Sequence, residues 1–272
     1  MKIVFWGDTQ AAGTTSNMLA TASALAIQYP YQSVMLQTAG KGNAVDISKS
    51  FSETEPLEEE LKEGCAYYPL RGLDYLYTVG KKGVLTAKQI QDNMQAVIEK
   101  KLYCLSSGSR MLCNFYPEET NQILANVIRL ADQQMDFTFI DCGCRTDAWT
   151  QELIKNADLL VVNLAQTQKS FDHFFLNHIK LSENIIFFIS SYQKDSTYNK
   201  KNIHRLYRIE PERLAVVPYN PEFAHACEKG RLDKYMKGRG NLYSTQMRRF
   251  FMQEVMQAVQ ILLEYADDTG KK

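Results

Sequence analysis

Apolar positions along the chain fall into two patterns. The first is the short, nearly continuous run: residues 4–6, 33–37, 102–105, 137–141, 158–164, 184–191 and 213–217. Runs of this length, rich in β-branched and aromatic residues, predict strands. Their lack of polar alternation predicts strands covered by helices on both faces. The second pattern is the helical stripe. Met18, Ala22, Leu25, Ala26 and Tyr29 form one. Ile123, Leu124, Val127 and Leu130 form another behind Pro117, a residue suited to a first helical turn. Phe251, Val255, Ala258, Val259 and Leu262 give residues 247–265 an amphipathic helix. Thr86 and Gln89 have capping-box spacing, and Ile90, Met94, Val97 and Ile98 predict a helix behind them. Residues 147–156 are also expected to be helical. Residues 73–79 alternate loosely and predict a further strand. Residues 46–63 are polar and acidic, and Glu58, Glu59 and Glu60 predict an exposed helix there.

Strands alternating with helices predict an α/β fold: a doubly wound, mostly parallel sheet flanked by helices. One domain is expected over residues 1–266, with a short polar tail at 267–272. In such a sheet, functional loops lie at the carboxyl ends of strands. Residues 7–16 (GDTQAAGTTS) and Asp141 both fall at such ends.

Composition narrows the field. A chain of 272 residues with 45% hydrophobic and 23% charged residues is that of an ordinary globular protein. Lys plus Arg and Asp plus Glu balance at 31 each, so no global field draws the molecule to nucleic acid. No apolar run approaches the roughly 18 residues of a membrane span, and no export signal is evident. A cytoplasmic protein with reduced thiols is expected, with the six cysteines forming no disulfide framework. Cys142-Gly143-Cys144 lacks the second pair that a zinc site needs. The four histidines fit no nucleophile motif, and read as surface or interface residues.

The loop at 7–16 follows a strand and opens a helix. Backbone amides at a helix N-terminus favour an anion, so a nucleotide phosphate is one reading. A tight turn of small residues is the other, since the loop contains no lysine.

Four segments in order resemble the ParA/MinD family of P-loop ATPases, the deviant Walker-A proteins that position plasmids, division machinery, flagella and pili. Gly13, Thr15 and Ser16 fit the phosphate-loop pattern G-x-K-G-G-x-G-K-T-T. Gly42-Asn43 resembles the G-N after the first switch. Residues 137–141 resemble the Walker-B strand, and residues 216–230 (VVPYNPEFAHACEKG) resemble the I-P-x-D…A-x-x-x-G element near the adenine. The resemblance implies ATP at Gly13, Thr14, Thr15, Ser16, Pro218 and Tyr219. It implies Mg at Thr15 and Asp141, and a homodimer.

Departures from the pattern bear on the chemistry. The signature lysine falls at Thr9 and the phosphate-loop lysine at Thr14. Two glycines become Gln10 and Ala11, and the aspartates after the second strand fall at Gln37 and Ala39. Phosphoryl transfer needs cations on the γ-phosphate and a group that orients water. Losing one such stabiliser costs about 3 kcal/mol or more of barrier. The resemblance therefore implies a degenerate member: a nucleotide-binding pseudo-ATPase acting as a positioning or scaffold factor with a protein partner, in the manner of Tad-pilus localisation proteins. A slow ATPase using a substitute cation such as Lys41 is an alternative. A DNA-bound module is another, because residues 200–249 hold twelve Lys or Arg against five Asp or Glu. A solvated basic face, offset by the acidic 46–63 stretch, is preferred to DNA contact. Residues 247–265 sit where the family has its last core helix, so no direct membrane insertion is implied.

Overall fold

The computed structural model describes residues 1–38, 47–53, 71–106, 118–177, 184–238 and 245–270. In chain order the elements are β1 (Lys2–Gly7), α1 (Thr14–Gln28), β2 (Ser33–Gln37), a 3-10 turn (Ile47–Phe51), α2 (Gly72–Gly80), α3 (Ala87–Asn93), β3 (Gln95–Ile98), β4 (Leu102–Leu105) and α4 (Glu118–Asp132). There follow β5 (Phe137–Asp141), α5 (Ala148–Lys155), β6 (Leu159–Ala165), α6 (Gln168–Asn177), β7 (Ile185–Tyr192), α7 (Lys200–Tyr207) and a second 3-10 turn (Pro211–Arg213). The chain closes with β8 (Leu214–Pro218), α8 (Pro221–Glu228), α9 (Leu232–Lys237) and α10 (Gln246–Asp268).

The eight strands form one sheet in the order β3-β4-β2-β5-β1-β6-β7-β8. Every pairing is parallel except β3 with β4. β1 lies at the centre, between β5 and β6, and there the strand order reverses direction. Its side chains supply both faces. Ile3 and Phe5 join α1, α8, α9 and α10 in one core, and Val4 and Trp6 join α2 to α7 in the other. This double burial is why the strands read as continuous apolar runs. α10 presents Phe251, Val255, Ala258, Val259 and Leu262 to the first core, all fully buried. Among the described residues no helix is long and apolar enough to cross a membrane.

Two expectations are corrected. Residues 73–79 form helix α2 rather than a strand. Leu73 and Leu76, three apart, are the buried pair, and they pack in the same core as Leu124 and Val127 of α4. The helix behind Thr86 has the full capping box but ends at Asn93. Met94 turns extended (ψ 124°), and Val97 and Ile98 belong to edge strand β3 against β4. A helical stripe was present at 90–98, but strand pairing decided its second half. The helix expected at Glu58–Glu60, the Gly42-Asn43 pair, Lys41, Ala39 and Pro117 lie outside the described residues.

Candidate functional site

β1 ends at the switch point, so the loop that follows opens at the carboxyl edge of the central strand, where α/β sheets bind ligands. Gly7 is required there by close approach: a Cβ would stand 2.8 Å from Ala12 Cβ and 2.8 Å from Thr14 Oγ1. The chain turns through Ala11 (φ 61°) and Gly13 (φ 74°) into α1. Gly13 is the N-cap of α1 and supplies no side-chain cap. The amides of Thr14, Thr15 and Ser16 precede the first intrahelical donor, Asn17 N, which bonds Gly13 O at 2.8 Å. Such an end holds partial positive charge and favours an anion.

The loop rests on a buried polar network. Ser190 Oγ of β7 donates to Ala12 O in a short contact. Asn17 Nδ2 donates to Asn163 Oδ1 of β6 and to Ser190 Oγ, both at 2.8 Å. Asn163 Nδ2 donates to Trp6 O and Val161 O, each at 3.1 Å. A Cβ on Gly13 would fall 2.7 Å from Ser190 Cβ and Oγ, so the loop sits directly on β7.

Asp141, at the end of β5, is the acid of the site. Thr15 Oγ1 donates to Asp141 Oδ2 at 2.6 Å, and Gln37 Nε2 donates to the same oxygen at 3.1 Å. Gly143 N donates to Asp141 Oδ1 at 2.8 Å. Burial pushes the Asp141 carboxyl above the usual carboxylate range, against these three hydrogen bonds that favour its charged form. Gln37 Oε1 is buried beside it without a hydrogen-bond partner. A hydroxyl, a carboxylate and an unpartnered amide oxygen are hard donors of the kind magnesium takes, and a cation there would relieve the buried charge.

A histidine and an arginine approach the site. His173 Nδ1 of α6 makes a short contact with Asp8 Oδ2, at the start of the loop. Arg145 Nη1 donates to Thr38 O at 2.7 Å, and Arg145 Nε pairs with Asp147 Oδ2 at 2.8 Å. At the far edge, Pro218 closes β8, and Tyr219 is exposed. Asn220 caps α8 by accepting from Phe223 N at 2.8 Å. Gly230 (φ 65°) completes this element with Ser52 O 2.0 Å from its Cβ position.

Of the residues expected to form the site, Thr15 and Asp141 meet directly. Gly13, Thr14 and Ser16 form the loop-to-helix junction, with Thr14 turned inward and buried and Ser16 exposed. Pro218 and Tyr219 lie two strands beyond β6, at the carboxyl end of β8. Sequence reading missed Asn17, Asn163, Ser190, His173 and Arg145. Asn163 carried a signal, as the lone polar residue within an apolar strand at 0% exposure. Burial pushes the Cys142 thiol up to about 12, so it stays protonated and unreactive.

No protein-family model matches the chain, and no curated protein sequence matches it. Solved structures do. A ParA family ATPase from Chlorobium tepidum TLS superposes with a TM-score of 0.65 at 13% identity, over 94% of this chain and 98% of that one. A protein described as a plasmid partition protein from Borrelia burgdorferi B31, bound to AMPPNP, gives 0.62 at 14%, over 97% and 98%. The septum site-determining protein MinD from Pyrococcus horikoshii OT3, complexed with Mg-ADP, gives 0.61 at 12%, over 98% and 99%. From edge strand to closing helix, this chain has the fold of the ParA and MinD ATPases.

Proposed function

We propose that the chain is a nucleotide-binding pseudo-ATPase of ParA/MinD type, which works as a positioning or scaffold factor rather than by turnover. The observation that carries this reading is the pairing of Thr15 with Asp141 at the N-terminus of α1, beneath a loop that contains no lysine. Similar folds hold AMPPNP and Mg-ADP, which supports nucleotide as the ligand class. In this reading the amides of Thr14, Thr15 and Ser16 receive phosphate oxygens. Thr15, Asp141 and the free oxygen of Gln37 are the donors for magnesium, and Pro218 and Tyr219 border the base. Thr15, Asp141 and Gln37 would hold magnesium, which would supply charge neutralisation there. This chain's residues bind and orient the triphosphate. With Thr9 and Thr14 where the family has lysines, and Gln37 where it has an acid, nothing on the loop stabilises a departing phosphoryl group or orients water. Homodimerisation and service to a surface assembly, such as a pilus or secretion system, belong to the same proposal.

Arg145 favours one second reading. It is a cation near the carboxyl ends of β2 and β5, tethered to Thr38 O, and a slow ATPase would recruit it as the substitute for lysine. Thermal melting with ATP and magnesium, paired with phosphate release, separates the two. Binding to the folded state alone adds about 2.7 kcal/mol at a hundredfold excess over Kd. The expected result is a raised Tm that is lost in Thr15→Ala, without phosphate release above background. Turnover that disappears in Arg145→Ala would establish the second reading.

A further inference from the structure

The loop between β1 and α1 carries an acid as well as a helix end that favours anions. Asp8 is the one acidic residue of 7–16. It follows Gly7, whose Cβ position stands 2.8 Å from Thr14 Oγ1 in the first turn of α1. Consecutive Cα atoms are about 3.8 Å apart, so Asp8 Cα lies within about 8 Å of that hydroxyl. Charges this close are felt through physiological salt, where the Debye length is about 8 Å. A carboxylate turned toward the amides of Thr14, Thr15 and Ser16 would oppose a phosphate there. The loop has no lysine to offset it.

The Asp8 carboxylate is turned the other way. Its Oδ2 makes the short contact with His173 Nδ1 of α6, a residue 165 positions further on. The Asp8 side chain is 3% exposed, although the residue as a whole is partly exposed, so its main chain meets solvent and its carboxylate does not. An ionised carboxylate only accepts, so His173 Nδ1 carries the proton of this contact. α1 and α6 cover opposite faces of the sheet. Met18 and Leu25 of α1 pack with Ile3 and Phe5, whereas Phe171 and Phe174 of α6 pack with Val4 and Trp6. The other end of the loop has a separate anchor, Ser190 Oγ on Ala12 O. Gln10 and Ala11, between the two anchors, are exposed.

We propose that His173 is a positioning residue for anion binding at this loop. It holds Asp8 on α6, and so keeps the loop's acid away from the N-terminus of α1. The inference rests on the reading of the loop as a phosphate site. A histidine that merely braced the fold would be needed whatever charge residue 8 carried. A histidine that withdraws a carboxylate becomes dispensable once that carboxylate is neutral.

The test is calorimetric titration of the full chain with ATP and magnesium. His173→Ala should weaken ATP binding by about tenfold. His173→Asn, whose amide nitrogen stands where Nδ1 stands, should remain within about twofold of the wild type. Adding Asp8→Asn to His173→Ala should bring the affinity back to within about threefold of the wild type. A double variant as weak as His173→Ala would overturn the proposal, because the histidine would then serve the ligand or the scaffold directly. Wild-type affinity in His173→Ala would overturn it as well. Amide hydrogen exchange of residues 8–13 without nucleotide reads the latch by itself. Exchange should be faster in His173→Ala than in the wild type or His173→Asn, and equal exchange in all three would overturn the proposal even where ATP binds. A wild type that binds no ATP, with exchange still dependent on His173, would sink the nucleotide reading while showing that His173 holds Asp8.

Discussion

Gly13 and Asp141 set the character of the site residue by residue. Gly13 holds a left-handed backbone and touches β7 at once, so any side chain there meets both strain and Ser190. Gly13→Ala should cost about 1–3 kcal/mol in urea unfolding. Gly83→Ala, with nothing within 4 Å of its Cβ position, should be close to neutral. Asp141 acts through charge. Its folded pKa is raised by burial, so the folded state holds the proton more tightly than the unfolded chain, whose carboxyl titrates near ~3.9. Its favourable contribution is therefore present below the unfolded pKa and is lost as pH rises through the folded one. Asp141→Asn should remove that part of the pH dependence, so the variant gains on the wild type in Tm between acidic and neutral pH. A Tm difference that does not change with pH would contradict a carboxyl whose pKa burial raises despite its three hydrogen bonds.

Among the elements, the coupling between α1, β6 and β7 is the least visible in sequence and the most consequential for the loop. Asn17, Asn163 and Ser190 come from three distant segments, and only the sheet order β1-β6-β7 brings them together. Asn17→Ala should cost about 1–3 kcal/mol, because it leaves Asn163 Oδ1 and Ser190 Oγ buried without that donor. A double-mutant cycle of Asn17→Ala with Asn163→Ala, read by denaturant unfolding, should show coupling of about 0.5–3 kcal/mol; strict additivity would mean the two side chains do not act together. The parallel strands were legible because burial on both faces leaves an unbroken apolar run, as in β6. Helix α2 was not, because Leu73, Tyr75, Tyr77 and Val79 mimic strand alternation while the true buried pair is Leu73 with Leu76. Strand β3 was hidden because Met94, Val97 and Ile98 continue the spacing of Ile90, and only the antiparallel partner β4 shows where the helix stops. Thr15 and Asp141, singled out through the family resemblance, meet in the structure at the first turn of α1 and the end of β5. His173 and Arg145 carry no local signal, since their partners Asp8 and Thr38 lie more than a hundred residues away.

At the scale of the whole molecule, the sheet, its switch point and the helix N-terminus behind β1 make a frame suited to a phosphorylated ligand, and the side chains placed on that frame are suited to holding it. In the proposed reading, cations that would stabilise transfer are missing from the loop, while the acid, the hydroxyl and the underlying network that would fix a bound nucleotide are present. Binding without cleavage is read by equilibrium dialysis of the full chain with labelled ATP and magnesium, followed by chromatography of the retained nucleotide. Saturable retention of nucleotide that remains triphosphate after prolonged incubation is expected. Retention of none, or recovery as diphosphate with catalytic release of phosphate, would contradict it.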